Sequence, residues 1–199
     1  IELTNSTFPE NVQVILTGVN DKFEGRGEDK KDFPRNDFGY SFKGSGGPDN
    51  FGYRWKDSNE PNGPDYVWTD IAANPNAVRI TSWTGTLDDG YTNAIPIGFD
   101  FKYYGANYSN IYLSTNGFLS FTTLTSSYYT NETIPSGDAP NNIIAPFWDD
   151  LDGRTQGTVH YLSEPDKFTI QFTNWQKYSG TGSLTFQMVL KSNDRIMFY

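Results

Sequence analysis

The sequence predicts an all-β fold, an antiparallel two-sheet sandwich or jelly roll, on three observations. Runs of alternating apolar and polar residues recur from Ile95 onward, turns rich in Gly, Asn, Pro and Asp separate them, and no window carries the period of an amphipathic helix. Aromatic residues make up 17% of the 199-residue chain, whose hydrophobic content is only 36%. The core must therefore be built from large flat side chains, which suit a pleated sheet.

Taken in order, the chain opens with Asn11 to Val19, whose alternation predicts a strand. Asp21 to Asp37 follows, charged and without period, and reads as a solvated linker or an ion-pair-rich hairpin arm. Residues 1–45 are thus an N-terminal strand plus a charged linker or arm, and 46–199 the main domain. Between Gly44 and Trp68, five Gly and three Pro mark turns and short strands. Ile95 to Tyr103 is a strand with Ile95, Ile97, Phe99, Phe101 and Tyr103 inward and Pro96, Gly98, Asp100 and Lys102 toward water. Ile111 to Ser114 and Phe118 to Thr122 form a hairpin through Asn116-Gly117, a pair that tolerates positive φ. Thr158 to Ser163 and Phe168 to Trp175 form the next hairpin, with Phe168, Ile170 and Phe172 on one face and Thr169, Gln171 and Thr173 on the other. Leu184 to Leu190 repeats the pattern, pointing Leu184, Phe186, Met188 and Leu190 inward. The sequence then stops in a strand, Ile196 to Tyr199. That predicts an open edge filled by strand addition, from Val12 to Thr17 of the same chain or from a neighbouring subunit, and so self-association.

The formal charge of -9, from 24 acidic and 15 basic residues, repels phosphate backbones and anionic lipid, which excludes nucleic acid as a partner. The absence of cysteine removes disulfides and thiolate metal sites. No apolar run approaches the roughly 18 residues of a membrane span, so no membrane insertion is expected. The first residues lack a basic region followed by an apolar one, as in the mature form of an exported protein.

Candidate sites fall into three groups. Asp149, Asp150 and Asp152 put three carboxylates in four positions; they serve as turn and capping groups, or a cation such as Ca²⁺ bridges them. Asp57, Asn59 and Asp65, with Glu60 and Asn62, form a second oxygen-rich loop with the same two readings, although the spacing is not that of an EF-hand and Pro61 interrupts it. Among the aromatics, Trp55, Trp68, Tyr128 and Tyr129 are candidates for stacking on a ligand, with Tyr128-Tyr129 the better placed for exposure; Trp83 and Tyr108 read as core or loop anchors. The sole histidine, His160, lies in a strand with no nucleophile motif nearby and reads as structural. Asn5, Asn107 and Asn131 begin N-x-[ST] motifs, compatible with a secreted glycoprotein.

"LSTNGFLSF" (Leu113 to Phe121) and "IIAPFWDDLD" (Ile143 to Asp152) followed by "GTVHY" resemble the two signature blocks of nidogen-like (NIDO-type) extracellular modules. "IPIGFDFKYYG" is similar to the strand that precedes them, and the stretch from Gly47 to Trp68 is similar to a segment accompanying this module in secreted bacterial surface proteins and proteases. The resemblance implies a secreted or cell-surface, non-catalytic module for adhesion or extracellular assembly, binding a protein or glycan. Two alternatives stand beside it: a carbohydrate-binding or accessory domain of a secreted hydrolase, and a filament subunit assembled by strand addition.

Overall fold

The computed structural model describes residues 2–4, 14–15 and 44–199, apart from residues 59, 133 and 181. The large sheet runs, edge to edge, through β3 (Ser45–Gly46), β4 (Arg54–Lys56), β1 (Glu2–Thr4), β16 (Ile196–Phe198), β15 (Leu184–Lys191), β14 (Lys167–Lys177), β13 (Thr158–Glu164) and β5 (Val78–Arg79), with β12 (Leu151–Asp152) paired to the far end of β14. The second sheet runs β2 (Val14–Ile15), β11 (Ile143–Ala145), β10 (Leu119–Ser120), β9 (Ala106–Leu113) and β8 (Ile95–Tyr103). A short ribbon of β6 (Thr84–Gly85) and β7 (Gly90–Tyr91) belongs to neither sheet but is tied to the end of β9 by an antiparallel bridge between Tyr91 and Ser114. The pairings are antiparallel except β2 with β11. The predicted all-β class and sandwich character hold.

The alternation builds the core directly. Ile95, Ile97, Phe101 and Tyr103 of β8 and Ile111 and Leu113 of β9 meet Phe168, Ile170 and Phe172 of β14 and Phe186, Met188 and Leu190 of β15 in one buried cluster. Phe99 departs from the pattern and is only partly buried. The ladder to β9 shifts register between Pro96 and Phe101, and Gly98, at φ +99°, lies where a Cβ would come 2.4 Å from Ser163 Oγ. A bulge at that point turns the strand, so Phe99 no longer faces the core squarely.

The polar face of β14 and β15 is buried as well. Thr169, Gln171 and Gln187 are buried, because the stretch from Thr69 through the 3-10 turn Ile71–Ala73 lies across them. Ile71 N donates to Gln171 Oε1 (3.0 Å), Gln171 Nε2 donates to Asp70 Oδ1 (2.7 Å), and Gln187 Nε2 donates to Thr69 O (2.7 Å). Polar side chains tolerate burial here because their donors and acceptors are met. The outer face of the second sheet is closed in the same way by a smaller cluster of Phe118, Leu124, Ile143, Ala145 and Trp148, with Tyr128 and Ile134 packed on it.

The edge of β16 is occupied, but not by the expected segment. Glu2–Thr4 pairs with it, Glu2 opposite Met197 and Leu3 opposite Ile196, while Val14–Ile15 joins the other sheet at β11. Asp21 to Asp37 lies outside the described residues.

Candidate functional site

The hairpin loop between β9 and β10 is where the two signature blocks meet. Only Gly117 takes positive φ (+80°), and a Cβ there would come within 1.9 Å of Phe147 O, so the second block presses directly on the first. Ser114, Thr115 and Asn116 are fully buried, and each is consumed in hydrogen bonds. Asn116 Oδ1 accepts from Leu151 N (2.8 Å), and its Nδ2 donates toward Asp89 Oδ1 and Ser127 O (both 3.4 Å). Ser114 Oγ donates to Ser127 O (2.6 Å). Thr115 Oγ1 donates to Asp88 O (2.5 Å) and accepts from Gly90 N (2.9 Å), and Thr115 O accepts from Trp175 Nε1 (2.9 Å). Asparagine suits the centre of this knot because one short side chain carries both an acceptor and donors.

An acidic rim surrounds the knot. Arg154 grips Asp152 with two bonds, Nε to Oδ1 (3.0 Å) and Nη2 to Oδ2 (2.8 Å), and that paired hydrogen bonding holds the Asp152 carboxyl below its ordinary pKa. The same Nη2 lies 3.0 Å from Asp88 Oδ2, while Asp88 Oδ1 is buried with no partner. Burial, helped by the neighbouring Asp152 charge, pushes the Asp88 pKa up. Asp150 is pushed up as well, by burial first and then by Asp88, Asp89, Asp149 and Asp152. Asp149 is paired with Lys177 at 3.1 Å, and Asp89 accepts from Ser127 Oγ at 2.7 Å.

The three aspartates expected as calcium ligands are thus neighbours, but Asp149 and Asp152 each hold a basic side chain. Among the described residues no three His, Cys, Asp or Glu groups converge as a metal site. In the second candidate loop, Asp57 O accepts from Glu60 N, Glu60 O accepts from Gly63 N, and Lys56 Nζ donates to Pro61 O. Asp65 is exposed, and Asn59 lies outside the described residues.

The aromatic candidates are scattered. Tyr128 is half-buried in the smaller core, where its carbonyl accepts from Trp148 Nε1 (2.6 Å) and its hydroxyl meets Thr125 Oγ1 (2.9 Å). Tyr129 beside it is exposed. Trp55 packs partly buried against the main core, and Trp68 is half-buried. Of the N-x-[ST] asparagines, Asn107 is exposed on β9, Asn131 donates its amide to Trp148 O (3.0 Å), and Asn5 lies outside the described residues.

Next to the acidic rim lies a cleft that the sequence did not announce. It has a volume of about 420 Å³ and sits where the β6–β7 ribbon overhangs the edge of the large sheet. Trp83 and Trp175, tilted together at 6.5 Å, form part of its wall, with Arg79, Thr81, Thr86, Leu87 and Thr158 also lining it. Trp175 spends its indole N–H on Thr115, whereas the buried Trp83 Nε1 has no partner among the described residues, an omission that costs about 1–3 kcal/mol in a buried group. His160 is half-buried behind this edge. Burial and then the Arg79 charge lower its pKa, and Nδ1 is unpartnered. The only sequence hint of the cleft was Trp83 in an irregular stretch, since its walls come from segments some 80 residues apart.

Residues 65–199, containing both signature blocks and the knot between them, match the family described as NIDO related. The chain belongs to the NIDO-related family. Mouse (Mus musculus) alpha-tectorin is 30% identical over 99 residues, 47% of this chain, and human (Homo sapiens) alpha-tectorin is 30% identical over 94 residues, 45% of it. Chicken (Gallus gallus) alpha-tectorin is 31% identical over 78 residues, 39% of the chain. The chain spans about 4% of the length of each of these relatives. No solved structure gives a significant match. This NIDO-related module is extracellular, secreted or at the cell surface. The three relatives are vertebrate proteins, and the bacterial setting expected above rests on the resemblance alone.

Proposed function

We propose that this NIDO-related chain is a non-catalytic interaction module, a rigid sandwich that presents its loops to an extracellular protein or glycan and so serves adhesion or assembly. The observation that carries this reading is that the chemistry-bearing residues of the signature are spent inside the fold. Asn116 ties Leu151 to the β6–β7 turn, Asp152 is gripped by Arg154, and Trp148 donates to Tyr128 O. A hydrolase needs an acid or base facing a substrate cleft, whereas these groups face one another. What remains outward is loop surface, including Tyr66, Tyr129 and Tyr178, each more than half exposed.

Immobilised chain probed with extracellular proteins and a glycan array tests the reading, with esterase, glycosidase and peptidase substrates assayed in parallel. Saturable binding without turnover is expected. Turnover that survives purification and is abolished by His160→Ala or Asp150→Asn would overturn it.

A further inference from the structure

We propose that the cleft beneath the β6–β7 ribbon binds a neutral pyranose unit of a glycan. This rests on the reading of the chain as an interaction module and names one site and one ligand class within it.

The cleft combines two kinds of surface that a sugar ring needs together. Trp83 and Leu87 offer apolar wall, and the C–H face of a pyranose packs on an indole as another flat side chain would. Around that wall stand the hydroxyls of Thr81, Thr86 and Thr158 and the guanidinium of Arg79. The Thr81 and Thr158 hydroxyls can donate and accept, Thr86 Oγ1 already accepts from Asp88 N and Asp89 N and keeps only its O–H to donate, and the planar fork of an arginine spans paired oxygens. Arg79 has no carboxylate partner among the described residues. The indole N–H of Trp83 also lacks an acceptor among the described residues, but it is buried within the wall, so Arg79 is the donor that the cleft presents without an internal use.

The backbone leaves the same place open. Pairing of β5 with β13 reaches Ile80, whose N–H donates to Val159 O, and the chain then turns away toward Trp83. Gly157 and Thr158, the next residues of that edge, line the cleft. A volume of about 420 Å³ falls in the lower part of the ~300–1,000 Å³ range of small-ligand pockets, the size for a mono- or disaccharide.

Charge selects among sugars. The chain carries -9 overall, and Asp88 and Asp89 stand in the turn that roofs the cleft. Carboxylated and sulfated glycans are therefore disfavoured relative to neutral ones. An apolar protein side chain would fill the wall but leave Arg79 and the Thr81 and Thr158 hydroxyls unmet.

The test is a calorimetric and tryptophan-fluorescence titration of the intact chain with neutral oligosaccharides of glucose, galactose and N-acetylglucosamine, with heparin and hyaluronan as the acidic arm. Arg79→Ala, Thr158→Val and Trp83→Phe are measured beside it, each checked for an unchanged melting temperature. The expected result is binding of at least one neutral oligosaccharide, weakened tenfold or more by Arg79→Ala and by Trp83→Phe, the latter shrinking the flat apolar wall. Should Trp83→Phe fail to fold, the exposed Arg79→Ala and Thr158→Val carry the test. Binding confined to acidic glycans, or sugar binding untouched by these variants, overturns the assignment. Absence of sugar binding while a protein partner is still captured removes the cleft proposal and leaves the module reading standing. Failure to bind either class removes both.

Discussion

Asn116 shows how a turn residue becomes the tightest point of the fold. Replacing it with Ala strands Leu151 N–H, which has no water to turn to, and frees Asp89 and Ser127 from their shared donor. Asn116→Ala should cost about 2–3 kcal/mol in urea unfolding. The Asn-Gly pair was legible as a turn, but its burial was not. Such turns ordinarily face water, and here the covering pieces, Asp88 to Gly90 and Ser127, arrive from elsewhere in the chain. The acidic rim makes a second residue-scale case. Asp150 has a folded pKa above its ordinary value, so the folded state takes up its proton at a higher pH than the unfolded chain. The cost of holding its charge, from burial first and then from the neighbouring carboxylates, is fully present at neutral pH and relieved as pH falls through the raised value. Asp150→Asn should therefore raise stability at pH 7 by roughly 0.5 kcal/mol, the scale of partly screened charge pairs, with the gain vanishing near pH 4 in paired thermal melts. Asp152 has the opposite sign: its pairing with Arg154 stabilises above the ordinary carboxylate pKa and is lost as pH falls through the lowered one. Calcium would have to displace Lys177 and Arg154 from Asp149 and Asp152. Melting curves in chelator and in excess calcium are expected to coincide, and an upward shift with calcium would restore the cation reading by mass action.

Strands differ in how much of themselves they declare. β8, β14 and β15 are long enough for period two to show, and most of their inward residues were readable. Two-residue strands such as β10 and β12 have no period at all and exist because neighbours pair with them. Even a long strand hides its defects: nothing in "IPIGFDF" beyond Gly98 signals the bulge that swings Phe99 aside. The contrast is measurable. Phe172, fully buried and stacked on Phe186 at 4.7 Å, should cost about 3–5 kcal/mol on truncation to Ala. Phe99→Ala should cost about 1–2 kcal/mol, in keeping with partial burial. Equal losses in chemical denaturation would mean that the register shift does not turn Phe99 away. Alternation put Thr169 and Gln171 on a polar face of β14, but it reports polarity and not exposure. Gln171 and Gln187 satisfy their amides against the Thr69–Ile71 stretch instead of water.

For the whole molecule, the N-terminal residues are part of both sheets. Deleting residues 1–20 removes β1 from between β4 and β16 and β2 from beside β11. The truncated chain should melt lower and self-associate, because β16 and β11 are then left with bare hydrogen-bonding edges. Size-exclusion chromatography with thermal melts checks both, and an equally stable monomer would mean that neither strand is needed. The partner expected for β16 was Val12 to Thr17 or a neighbouring subunit, and Glu2–Thr4 pairs with it instead, a segment with too few residues to show a pattern.

The pairing of Glu2 with Met197 also governs the order in which the molecule can fold. Its partners lie almost the full sequence apart, so the loop to be closed is nearly as long as the chain, and closure is rewarded only after the strands between have assembled. A helical domain of this size could lock piece by piece; this one keeps its final seam open until late. Late closure delays the pairing of both edges until the rest of the sheet is in place. It also leaves an interval in which one copy's open seam can capture another's, so refolding yield should fall with protein concentration more steeply than native stability alone would suggest.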